Sequence, residues 1–290
     1  MTASHSFRTT FIGFLAIALA SFILTGCGEK EKVKEKEEKT DKTENPAFSE
    51  KKGADELRKA NEAYEAGDYE AAAKHYMSAA KENNPEAQYE LARLYARGRG
   101  VERDIKETVK LYRKAAERGY PKAQYSLGAC YLSVGVGVEF DMGKAAKWCG
   151  KSIPGLKEEA KDGDAFSRFF LASIYEAGLG TEKDVNEAVK WYRKAVPGLR
   201  EKAQKGNDEA QFILGSLYEK GLGAEKDFEE AVKWYRRAAE QDYSPGQAAL
   251  GNCYLQGKGV PQDKNEAKKW LRKAAAQENL QAKNTLLLLE

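Results

Sequence analysis

Apolar residues recur along this chain at helical spacing. Ala87, Leu91, Ala92 and Tyr95 fall at i, i+4, i+5 and i+8, on one face of a predicted helix. Farther on, Ala188, Trp191, Tyr192 and Ala195 follow i, i+3, i+4 and i+7, and the stripe returns as Ala231, Trp234, Tyr235 and Ala238. Between one stripe and the next stands Gly-x-Gly followed by an Asp, which reads as a helix end, a turn and a new helix start.

The pattern copies itself. One copy opens with Pro85, Ala87, Gln88, Tyr89, Leu91 and Tyr95, and the next with Pro121, Ala123, Gln124, Tyr125, Leu127 and Tyr131. Later copies centre on Leu171 with Tyr175, Leu214 with Tyr218, and Leu250 with Tyr254. The glycine pairs are Gly98/Gly100, Gly135/Gly137, Gly178/Gly180, Gly221/Gly223 and Gly257/Gly259, followed by Asp104, Asp141, Asp184, Asp227 and Asp263. Each copy closes on an apolar segment carrying Leu111, Trp148, Trp191, Trp234 or Trp270. Inserts around Pro154-Gly155-Leu156 and Pro197-Gly198-Leu199 lengthen two copies by about two helical turns. They extend the second helices there, and the prolines are expected to kink or restart them.

Local chemistry explains most of the punctuation. Glycine suits a left-handed helix end. Asp suits an N-cap, because its carboxylate accepts from free backbone N–H groups. Glu107, Glu187, Glu230 and Glu266 follow their Asp by three residues, as in a capping box, whereas the second copy has Lys144 there. Recurrence in four copies favours a structural role for these Asp–Glu pairs over acid–base chemistry. The Gly-x-Gly turns follow helices and lack a third glycine, so they are poor phosphate cradles.

These residues resemble the Sel1-like repeat, a relative of the tetratricopeptide repeat. The resemblance covers five copies, at 85–120, 121–164, 165–208, 209–244 and 245–280. Residues 54–84 resemble a plain tetratricopeptide hairpin with a Gly67-Asp68 turn, and 281–290 a capping helix with Leu286 at the repeat's Leu position. Departures are Leu111 in place of Trp, and Cys149 and Leu271 in place of Tyr. The resemblance implies an all-α fold, a right-handed superhelical solenoid of antiparallel helix-turn-helix repeats. One hairpin cannot bury its own stripe, so neighbours must stack, and stacking creates a curved face lined by the first helices.

On that concave face the resemblance places Tyr89, Tyr125, Phe169, Phe212 and Ala248 at one position, and Arg93, Ala129, Ser173, Ser216 and Asn252 at another. An aromatic ladder suits an extended protein or peptide ligand. The same rings could equally pack between repeats, and both readings stand at this point.

The amino terminus reads as an address. A polar start with Arg8 precedes the apolar run Phe11 to Leu24, shorter than the roughly 20 residues a membrane span needs. Leu24-Thr25-Gly26-Cys27 resembles a bacterial lipobox, which implies removal of residues 1–26, lipidation of Cys27, and membrane attachment through that lipid. In Gram-negative lipoproteins an Asp after the lipidated Cys commonly retains the protein in the inner membrane. Gly28 stands there instead, which favours the outer membrane where the organism has one. Residues 27–53 read as a charged tether, since Glu29 to Glu44 hold seven acidic and six basic residues and Val33 as the only apolar one.

Composition narrows the chemistry. Net charge is +3 from 48 basic and 45 acidic residues, which gives no general attraction to nucleic acid. Of two histidines, His5 lies in the leader, so His75 alone remains, and no metal or other cofactor is expected. Cys130, Cys149 and Cys253 remain after Cys27. Cys130 and Cys149 belong to facing helices of one copy, and export would permit a disulfide between them; small apolar filler is the other reading. The expected role is therefore an envelope scaffold or adaptor, not an enzyme. Binding of peptidoglycan or another glycan is the alternative. Some disulfide-rich Sel1-like proteins are associated with β-lactams, but this chain lacks their regular cysteine pairs, and Ser152 and Ser167 have no evident base.

Overall fold

A computed structural model describes residues 46–133 and 138–289. The leader, Cys27 and the pair Gly135/Gly137 lie outside the described residues. Thirteen helices occur among the described residues. They are α1 (Pro46–Glu65), α2 (Tyr69–Lys81), α3 (Pro85–Arg97), α4 (Ile105–Glu117), α5 (Pro121–Leu132), α6 (Met142–Lys161), α7 (Ala165–Ala177), α8 (Val185–Gln204), α9 (Asp208–Lys220), α10 (Phe228–Glu240), α11 (Ser244–Gln256), α12 (Lys264–Ala276) and α13 (Leu280–Leu287). Each helix packs on the one before and the one after it, so the chain is a solenoid of helical hairpins. The expected tether ends early. Residues 46–53 are the first turns of α1, and Gly53 there lies against the Cβ of Glu82.

The repeat motif is spent on local closure and on the joint between copies. Gly98, Gly178, Gly221 and Gly257 are left-handed C-caps of the first helices. Asp104, Asp141, Asp184, Asp227 and Asp263 cap the second helices through their carboxylates. The capping box is only half formed. The Asp backbone N–H donates to the carbonyl of the repeat tyrosine instead: Asp104 to Tyr95, Asp141 to Tyr131, Asp184 to Tyr175, Asp227 to Tyr218 and Asp263 to Tyr254. Glu107, Glu187, Glu230 and Glu266 turn away to Lys110, Lys190, Lys233 and Lys269.

Successive copies are stapled by side chains. Gln88, Gln124, Gln211 and Gln247 each donate to an alanine carbonyl near the end of the preceding helix, respectively Ala80, Ala116, Ala203 and Ala239. Arg168 does the same for Ala160. These bonds satisfy carbonyls that a helix end leaves without partners. The tyrosine hydroxyls of Tyr131, Tyr218 and Tyr254 accept from Arg113, Arg200 and Arg236 of the preceding second helix.

Both inserts are helical and neither proline restarts the chain. α6 and α8 each run 20 residues with Pro154 and Pro197 inside. A helix already propagating needs no new nucleus, and the extension has its own buried stripe. Leu156 and Leu199 are fully buried, as are Ala160 and Ala203. The glycine after each proline lets the first helix of the same copy come close: Gly155 faces Pro121 and Gly198 faces Ala165.

Candidate functional site

The expected aromatic ladder splits in two. Tyr89 and Tyr125 are buried, at 5% and 1% exposure, so as partner contacts they are corrected to packing residues. Tyr89 lies between Tyr112 and Tyr120, with ring centroids at 5.7 and 5.3 Å, and Tyr125 stacks on Phe170 at 4.2 Å. Their rings fill the seam where one copy meets the next. Phe169 and Phe212 are half-buried. Phe169 packs on Tyr192 at 5.6 Å, and Phe212 on Tyr235 and Tyr243 at 5.8 Å each. Ala248 is buried.

The second ladder position answers to the second helix. Ser173 is buried and its hydroxyl lies 3.3 Å from the Tyr192 hydroxyl, which in turn donates to Glu176 at 2.6 Å. Tyr235 donates likewise to Glu219 at 2.6 Å, with Ser216 beside it. Burial comes first in raising both tyrosine pKa values, and the adjoining carboxylates raise them further. Copies with Cys149 or Leu271 in place of that tyrosine carry Ala129 with Leu132, or Asn252 with Leu255, where copies three and four have Ser and Glu; the first copy keeps Tyr112 but has Arg93 and Ala96 there. Ser173 is thus a tyrosine partner and not a groove contact, whereas Ser216 and Asn252 remain half-buried.

Cys130, Cys149 and Cys253 are free, buried thiols. Of the two readings left open for Cys130 and Cys149, the structure shows the apolar filler and no disulfide: the Cys149 sulfur faces Gly128, where a Cβ would stand 2.6 Å from it. Gly128 and Cys130 point to different sides of α5. Burial pushes the Cys149 and Cys253 thiols up to about 12, and the Cys130 thiol higher still, which keeps them protonated and unreactive.

Arg93 leads to a feature with no sequence signal. Its guanidinium binds Glu90 on its own helix and Glu209 at the start of α9, 116 residues away. Arg97 reaches Asp208 at 3.2 Å and Glu209 at 2.7 Å, and Arg99 reaches Asp208 at 2.6 Å. Arg99 also donates to the Gln241 carbonyl at 3.2 Å, and Arg97 lies over the Tyr243 ring at 5.0 Å. Burial alone would raise the Asp208 carboxyl, but the surrounding guanidiniums hold it below the usual carboxylate range. Burial likewise opposes the charges of Arg93 and Arg97, and the facing carboxylates overcome it. The superhelix therefore curls until its first full repeat meets its fourth.

Enclosed by this contact is a cavity of about 300 Å³. Its walls come from α3 and the following loop on one side and from residues 242–245 and 276–278 on the other. Tyr89, Tyr112, Phe170 and Tyr243 give it aromatic faces, and Arg93, Arg97, Arg99 and Arg103 line it with guanidiniums.

A family model described as "Sel1 repeat" matches residues 85–120, 121–153, 165–196, 208–243 and 244–279, passing over both inserts. Among solved structures, a Sel1 repeat protein from Oxalobacter formigenes is 33% identical, covering 79% of this chain and 85% of that one, with a TM-score of 0.39. A protective antigen of uropathogenic Escherichia coli with an SLR fold is 25% identical over 83% of this chain and 65% of its own, TM-score 0.29. An immunity protein from Pseudomonas aeruginosa is 28% identical over 68% and 66%, TM-score 0.34. No curated protein matches the chain.

Proposed function

The chain belongs to the Sel1 repeat family, and from that premise we propose that it is a non-catalytic scaffold that holds a protein or peptide partner on its repeat array, anchored in a bacterial envelope membrane by a lipid on Cys27. The observation that carries the reading is the state of the first helices in the last three repeats. Phe169, Phe212, Ser216 and Asn252 are only half-buried on successive copies. The polar residues that recur from copy to copy are already engaged in caps and joints. Aromatic rings held by a rigid scaffold offer contact area at little entropic cost.

The test is capture from solubilised envelope with the full chain and a Phe169→Ala, Phe212→Ala variant. A single stoichiometric protein partner, reduced about tenfold or more by the variant, is expected, since central aromatic contacts contribute about 2 kcal/mol or more. Retention on isolated peptidoglycan without a protein partner would replace the scaffold reading with a glycan-binding one. For the anchor, Cys27→Ser should move the protein from the membrane to the soluble fraction. An N-terminal peptide without acyl mass would reject lipidation.

A further inference from the structure

We infer that the cavity between the first repeat and the fourth and fifth binds a compact monocarboxylate with an apolar body, the end of a peptide chain or a free organic acid. The inference rests on the partner-binding reading only for the source of that ligand. The cavity, at about 300 Å³, is at the small end of ligand sites and presents aromatic walls with a few polar groups, as such sites do.

Two of its lining residues hold buried polar atoms without partners: Arg103 at Nη2 and Tyr243 at its hydroxyl. Tyr243 is 5% exposed. Arg103 has one bond, from Nε to the Ala96 carbonyl at 3.1 Å. Native structures rarely leave such donors unpaired, so each calls for an acceptor in the cavity.

The other charged groups there are committed. Glu209 is held by Arg93 and Arg97, and Glu278 by Lys283. Asp242, exposed at the rim, accepts from Gln247 at 3.1 Å. Arg103 is the lining cation with no carboxylate at bonding distance. A carboxylate presents two coplanar oxygens to a guanidinium edge, and one of them could also accept from the tyrosine hydroxyl. A doubly charged phosphate would face Glu209, Asp242 and Glu278 at once, which favours the single charge. Burial works against the charge of Arg103, Glu278 offsets part of that, and a bound anion would offset more.

The experiment is calorimetric titration of the full chain with N-acetylphenylalanine, 3-phenylpropionate, N-acetylphenylalaninamide and phenyl phosphate. One-to-one binding of a monocarboxylate is expected, with the amide and the phosphate about tenfold weaker or more, the scale of one charged hydrogen-bond pair. Arg103→Gln should weaken the carboxylate about tenfold and Tyr243→Phe about threefold or more. Neither should change amide binding or the melting temperature. Tighter binding of N-acetylphenylalanine than of phenylpropionate identifies a chain end, and the reverse order a free acid. No binding to the wild type, equal binding of acid and amide, or indifference to both substitutions overturns the proposal. Phe169 and Phe212 pack on the cavity's Phe170 and Tyr243, so the separating variant is Asn252→Ala, which should bind these probes as the wild type does, and this site and the partner surface fail separately.

Discussion

Gly100, Gly180, Gly223 and Gly259 obey a constraint beyond backbone conformation. Their φ values are positive, which glycine tolerates. Each also rests on the preceding repeat's second helix, where an added methyl would collide with main chain: Gly100 with Tyr69, Gly180 with Ala146 and Gly150, Gly223 with Tyr192 and Arg193, Gly259 with Phe228. Gly67, at φ +80, meets nothing. Gly67→Ala should therefore cost about 1–2 kcal/mol from conformation alone, and Gly223→Ala about 2 kcal/mol more. Urea unfolding of both variants checks this, and equal losses would refute the close-approach term. The sequence marked these glycines as turn residues but carried no sign of the collision partner, which belongs to another copy. Ser173 was legible as a first-helix position; its tie to Tyr192 was hidden in a residue 19 positions on.

Among elements, the inserts matter most. After the short helices α2 and α10 the next second glycine seats on the first residue, Tyr69 or Phe228, whereas after α8 it seats on the eighth and ninth, Tyr192 and Arg193. Each long helix thus displaces the following copy by about 10 Å along its axis. Such an axial offset turns a flat ring of repeats into a helical path. The extension is held by Leu199, fully buried among the packed helices, so Leu199→Ala should destabilise by about 3 kcal/mol. Loss below about 1 kcal/mol in denaturant melts would show that the extra turns are peripheral. Added length was evident from the Pro-Gly-Leu spacing. Continuity through the prolines was not, because it depends on the apolar seat that neighbours provide.

For the whole molecule, the contact of Arg93, Arg97 and Arg99 with Asp208 and Glu209 closes the array. Removing Glu209 takes one carboxylate from each of two mostly buried guanidiniums, leaving Arg93 with Glu90 and Arg97 with Asp208. Glu209→Ala should therefore cost about 3 kcal/mol, or open the superhelix and raise its radius of gyration in solution scattering. An unchanged melting temperature and radius together would show the contact to be inert. The pH dependence has a definite sign. The Asp208 pKa is depressed in the folded state, so its contribution is fully present above the ordinary Asp value of about 4. It is lost as pH falls through the depressed folded value. Acid should lower the wild-type melting temperature in that window more than that of Asp208→Asn; parallel acid profiles would contradict this.

The chain's own pattern determined what is local or repeated: helices from the 3.6 period, their ends from Gly and Asp, and a solenoid because no hairpin buries its own stripe. Tertiary structure alone decided which ladder rings stay half-exposed, that Cys149 turns to Gly128, and that three arginines of one repeat meet the acids of a repeat more than a hundred residues away. Periodicity records how a residue stands toward its neighbours in sequence. Closure of a superhelix sums small offsets from every joint, and no single repeat contains that sum.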